Sequence, residues 1–167
     1  MTDILPKRGP DTELVIRRVV KAPRELVWKA WTEAEHVARW WGPEGLTTRV
    51  EQHDFRVGGA TRYVMVAEDG TEYPAEGVFI EIEAPHRIIT TDEFAEDYDG
   101  PEGVILPTGT ILTVTFDEVE GGTQITLHIS HPTKEQKQTH EEMGVVAGWN
   151  STIDELESYL QKIGKRS

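Results

Sequence analysis

A chain of 167 residues without cysteine is long enough to bury a core of its own and has neither disulfide staples nor thiolate chemistry. It carries 17 Lys and Arg against 30 Asp and Glu, a net charge of −13; with no basic cluster, that excludes nucleic acid as the expected partner, because phosphate neutralisation dominates such binding. No apolar run approaches the ~20 residues that span a bilayer, and the start of the chain, with Lys7 and Arg8 but no apolar stretch, is not a signal peptide, so no membrane insertion and a cytoplasmic location are expected.

Residues 1–12, punctuated by Pro6, Gly9 and Pro10, predict a flexible N-terminal arm, and 13–167 one folded domain. The run ELVIRRVVK over 13–21 is rich in β-branched residues and predicts a strand. Pro23 suits the first position of a helix, and RELVWKAWT over 24–32 places Leu26, Val27, Ala30 and Trp31 on one apolar side. A second short helix over 33–40 turns Val37 and Trp40 inward and stops at Trp40-Trp41-Gly42-Pro43. Adjacent tryptophans cannot share a helix face, so one is expected in the core and the other pointing elsewhere.

From there the period changes to two. Strands are predicted over 46–55, 60–67, 72–83, 87–93, 109–119 and 123–130, with turns at Gly58-Gly59, Asp69-Gly70, Ala84-Pro85 and Gly121-Gly122. Pro74 marks an edge or an irregular strand start. The stretch 94–108, with four acidic residues, Gly100-Pro101, Gly103 and Pro107, reads as a loop long enough to be a lid or a mobile excursion. Residues 134–163 predict one helix roughly 45 Å long, with Val146, Trp149, Ile153, Leu156, Leu160 and Ile163 on one stripe. Thr133 and Gln136 have the spacing of a capping box. Gly144 and Gly148 inside that helix suggest a close neighbour: either tight packing on the sheet or a cavity wall. The expected fold is α+β, a curved antiparallel sheet of six to seven strands wrapped on the long C-terminal helix, with two short helices after the first strand.

Four stretches carry a family resemblance. These are Ala22-Pro23-Arg24-Glu25-Leu26-Val27-Trp28 with Ala30-Trp31-Thr32, then Trp40-Trp41-Gly42-Pro43, then Phe55-Arg56-Val57-Gly58-Gly59 with Tyr63-Val64-Met65 and Asp69-Gly70, and last Gly121-Gly122-Thr123 with Gly148-Trp149, Leu156 and Leu160. In this order they resemble the START-like (SRPBCC) superfamily with its helix-grip fold, and within it the family named for the activator of the Hsp90 ATPase. The resemblance covers roughly residues 14–163 and implies a cavity between the long helix and the sheet. The chaperone activator has a further N-terminal domain that has no counterpart here.

No catalytic set stands out. There is no glycine-rich phosphate loop before a helix and no serine in a nucleophile elbow. His128 and His131 fall on opposite faces of a strand end. His140, Glu141 and Glu142 are adjacent on a helix and diverge by about 100°, so neither a metal site nor a cofactor is expected. His131, at the end of the last strand, is expected either to contact a ligand at a cavity mouth or to serve as a plain cap. The aromatic and methionine residues favour a pocket, although core packing accounts for each one individually. The candidate ligand contacts are Trp41, Phe55, Tyr63, Met65, Phe94, Leu112, Val114, His131, Met143 and Ala147. The leading expectation is a non-enzymatic domain that binds a small hydrophobic molecule. The alternatives are a cyclase- or dehydratase-type enzyme using His131 with Tyr63 or a carboxylate, and a protein partner, either a chaperone or a second copy in a homodimer.

Overall fold

The computed structural model describes residues 12–42, 45–94 and 109–164. The arm read over 1–11 and the lid-like stretch 95–108 lie outside the described residues. The element order is β1 (Glu13–Val20), α1 (Arg24–Thr32), α2 (Ala34–Trp40), β2 (Leu46–His53), β3 (Ala60–Ala67), β4 (Glu72–Glu83), β5 (Arg87–Thr91), β6 (Glu93–Phe94), β7 (Ile111–Val119), β8 (Gly122–Ser130), α3 (Lys134–Glu142) and α4 (Val145–Gly164).

Short turns between alternating runs force antiparallel neighbours, and every pairing is antiparallel. The order is β1-β8-β7-β5-β4-β3-β2, with β6 added beside β4. The first strand therefore closes against the last, from Glu13 opposite Ser130 to Val20 opposite Thr123. The sheet curls into a half-barrel with α1, α2 and α4 packed against it. Ile88, Leu112, Val114, Phe116, Ile125, Leu127 and Ile129 supply the buried sheet face, and Ile153, Leu156 and Leu160 of α4 press into it.

The two adjacent tryptophans divide as expected. Trp40 is 2% exposed, and its indole N–H donates to the Ala30 carbonyl at 2.8 Å, the partner a buried indole needs. Trp41 follows the last turn of α2 in extended backbone and is half-buried.

The C-terminal helix differs from its expectation: it is two helices. Thr133 caps α3 as the spacing implies, its hydroxyl accepting the Gln136 N–H at 3.1 Å. The chain then breaks at Met143-Gly144, where Gly144 takes φ +86°, a left-handed turn natural to glycine. The reason is burial. The α3 sequence KEQKQTHEE buries no residue, so nothing holds it in line with α4. The break also resets the stripe: Val145 packs on the core, while Val146 is 40% exposed. Neither reading of the glycines holds, for a Cβ at Gly148 would meet nothing within 4 Å. Gly148→Ala is therefore expected to raise stability by about 1 kcal/mol, and Gly144→Ala to lower it by about 1–2 kcal/mol, both read as shifts of the urea midpoint at constant m.

Candidate ligand-binding site

A cavity opens between the two short helices and the sheet. It holds about 50 Å³ and opens to solvent on one side. Trp31 of α1, Val37 of α2 and Trp41 form the roof. His53, Thr61, Tyr63, Glu76, Gly77, Phe79, Ile88, Thr90, Thr91, Asp92, Leu112 and Val114 form the floor and walls. The helix α4 stands one layer back: Trp149 stacks on Trp31 at 6.1 Å and meets Trp41 edge-on at 5.4 Å. The wall that the resemblance assigns to the long helix is thus supplied by α1 and α2.

An irregularity in the sheet brings the polar groups together. The β4–β5 register shifts between Phe79 and Glu81, a bulge of the kind that re-aims side chains. At Gly77 the backbones come so close that a Cβ would lie 2.2 Å from the Thr91 carbonyl oxygen, so only glycine fits. Threonine hydroxyls replace lost ladder bonds: the Val78 N–H donates to Thr91 Oγ1 at 2.8 Å, and Thr90 Oγ1 donates to the Val78 carbonyl at 3.1 Å. Asp92 then falls between β5 and β6, its N–H donating to the Thr110 carbonyl at 3.0 Å.

The Tyr63 hydroxyl donates to Asp92 and accepts from Trp41, whose indole N–H is a donor only. Burial pushes the Tyr63 phenol far above its ordinary range, and the Asp92 charge adds to the rise. His53 is locked on both sides. Its Nε2–H donates to the Thr32 carbonyl at 2.6 Å, and its Nδ1 lies 3.3 Å from the Thr61 hydroxyl.

Of the residues expected at a ligand, Trp41, Tyr63, Leu112 and Val114 line this cavity. Phe55 sits behind the wall, against Phe79 at 5.0 Å and Trp28 and His53 at 6.0 Å. Met65 lies beside Gly42. Phe94 pairs with Ala75 through its backbone, and its side chain is outside the described residues. Met143 is 39% exposed and Ala147 is exposed as well: Met143 sits at the break between α3 and α4, and Ala147 stands two residues from Trp149, about 200° around α4 from the buried stripe. The missed contacts had one legible signal. Gly77 inside an otherwise regular strand marks a bulge or a close approach, and Thr90-Thr91-Asp92 lies opposite it.

His131 is fully buried and is not among the described residues that line this cavity. Its Nδ1–H donates to the Thr12 carbonyl at 2.9 Å, and its Nε2 accepts from His140 Nδ1–H at 2.9 Å. Burial lowers the His131 pKa, and burial together with His131 brings His140 down to about 4. The pair is a neutral latch that fastens α3 to the start of β1. Elsewhere, Glu33, Glu35 and His36 gather ligand-type atoms within 4.8 Å at the start of α2. This group faces solvent in part, and acidic side chains there complement the helix dipole.

The family model described as "Activator of Hsp90 ATPase homolog 1-like protein" matches residues 21–161. No curated protein matches the chain. Among solved structures, a protein from Nitrosomonas europaea is 29% identical, over 95% of this chain and 99% of that one, with TM-score 0.78. A protein from Arthrobacter aurescens is 28% identical, over 97% and 90%, with TM-score 0.81. A protein from Mycobacterium smegmatis is 28% identical, over 94% and 96%, with TM-score 0.80. The chain belongs to the activator of Hsp90 ATPase homolog 1-like family, in the START-like superfamily, and has its helix-grip fold.

Proposed function

We propose that this protein binds a small, largely apolar molecule in the cavity beneath α1 and α2. The observation that carries the reading is the composition of the lining. Trp31, Trp41, Tyr63 and Phe79 give aromatic walls, Ile88, Leu112 and Val114 an aliphatic floor, and Tyr63, Asp92 and Thr91 polar groups to orient a ligand. Small-molecule sites have this make-up, mostly apolar with a few placed polar groups. The ligand contacts proposed from the original set are Trp41, Tyr63, Leu112 and Val114.

A cyclase- or dehydratase-type reaction in the same cavity would draw on Tyr63 and Asp92, because His131 does not line it. A phenol raised by burial keeps its proton at neutral pH and is poorly matched to proton transfer. It suits hydrogen bonding to a ligand better, which supports binding over turnover. Chaperone contact, the reading suggested by the family's name, has less support. Among the described residues, the exposed large apolar ones are distributed over β1 (Val15, Val19), a turn (Val57), β4 (Val78), β7 (Val119) and the α3–α4 region (Met143, Val146).

The test is a titration followed on the tryptophan indole N–H resonances with phenol and other neutral single-ring compounds. The signals of Trp31 and Trp41 are expected to shift, with Trp28 and Trp40 moving less. Val37→Phe, which fills the roof, is expected to abolish the shifts while leaving the circular dichroism spectrum intact. Shifts that persist in Val37→Phe, or no shift with any compound, would count against the cavity.

A further inference from the structure

We propose that the cavity selects a small protonated amine with an apolar body over an acid of the same shape. This rests on the ligand-binding reading above and specifies its ligand class.

The charged residues of the described lining are Glu76 and Asp92, both acidic; no lysine or arginine lines the cavity among the described residues. Arg62 offsets Glu76 only in part. Its Nη1 stands 3.4 Å from Glu76, while its Nε is closer to Glu51, at 2.8 Å. Hydrogen-bond donors along the walls are largely committed to protein acceptors. Tyr63 donates to Asp92, His53 to the Thr32 carbonyl, Thr61 to the Gln52 carbonyl and Thr90 to the Val78 carbonyl. An anion entering here meets two carboxylates and few donors. An ammonium meets two carboxylates and aromatic faces instead.

The aromatic walls act in the same direction. The faces of Trp31, Trp41, Tyr63 and Phe79 attract cations through their quadrupoles, tryptophan most strongly, and more so out of water. The net charge of −13 draws cations toward the protein at longer range. A volume of about 50 Å³, against about 150 Å³ for a cavity that encloses benzene, takes the ammonium end of such a ligand and leaves its small apolar body in the open mouth between the aromatic walls.

The experiment compares three probes of similar size at pH 7: phenethylamine as the cation, 2-phenylethanol as the neutral form and phenylacetate as the anion. Binding is read by calorimetry and by the Trp31 and Trp41 indole signals. The amine is expected to bind about tenfold more tightly than the alcohol, with the acid weakest. Asp92→Asn is expected to bring amine and alcohol within about twofold of each other. Glu76→Gln, at a partly exposed position, gives a second reading with less risk to folding and is expected to narrow the preference in the same direction. If the alcohol or the acid binds as tightly as the amine, the charge selection is wrong and the cavity reading stands. The same holds if both variants keep the full preference. If none of the probes binds or moves the indole signals, the cavity reading fails and takes this inference with it.

Discussion

Trp31→Ala is expected to lower the unfolding free energy by about 3–5 kcal/mol, at the upper end for large-to-small core changes. Trp31 is 6% exposed and joins four aromatic neighbours at once. Its ring centroid lies 4.9 Å from Trp40, 5.4 Å from Phe116, 5.6 Å from Trp41 and 6.1 Å from Trp149. Those neighbours belong to α2, β7, the end of α2 and α4, so the indole is where both helical layers and the sheet meet. The void it leaves would open into the existing cavity, which limits relaxation around it, and the cost of such a deletion rises with the volume left empty. Trp41→Ala, at a half-buried position, is expected to cost about 1–2 kcal/mol. Urea unfolding of the two variants checks the contrast. A loss below about 1 kcal/mol for Trp31→Ala would mean that the aromatic cluster is not the centre of the core.

Stability is also expected to fall as the pH drops from about 6.5 to about 4, with the His131–His140 latch contributing roughly 2–3 kcal/mol of that loss. The sign follows from the direction of the shifts. Both histidines are held below their ordinary values in the fold, His140 down to about 4, so between those limits the unfolded chain binds more protons than the native one. The contribution is complete above the unfolded value near 6.5 and is lost as the pH falls toward the folded value. A proton on either ring also sets an uncompensated charge beside the other, with Lys137 adding repulsion and Glu141 opposing it at His131. The Thr12 carbonyl holds the far side of His131. Because α3 buries nothing else, it is the element expected to come loose first, visible as faster amide exchange in α3 than in α4 at pH 5. His140→Phe is expected to remove most of the slope over this range. A flat stability profile between pH 7 and 5 would contradict the latch.

Local chemistry carried much of the fold. Period-two runs with glycine turns mark the strands, the Thr133–Gln136 spacing marks a real cap, and the Trp40–Trp41 pair implies one indole in the core, as Trp40 is, and the other pointing elsewhere. The helix break escaped because a glycine in a helical pattern reads equally as a packing site or a stop. What decided it was the absence of any apolar residue for α3 to bury, and that depends on the tertiary neighbours. Strand alternation points to Leu112 and Val114, and the aromatic set to Trp41 and Tyr63. It could not find Asp92, whose placement depends on a register shift at Phe79–Glu81, or His53, whose position is fixed by the carbonyl of Thr32 on a separate element. Nor does a one-dimensional pattern tell which helix roofs the cavity; that follows from how α1 and α2 fold back across the curled sheet.

The most direct test of the ligand-binding account is native mass spectrometry of the purified protein, followed by extraction and identification of what it releases. The account predicts a small molecule at one per chain, absent from Val37→Phe, with an apolar body and a basic nitrogen. An apo mass together with no thermal stabilisation by any amine, alcohol or acid small enough for the cavity would contradict it.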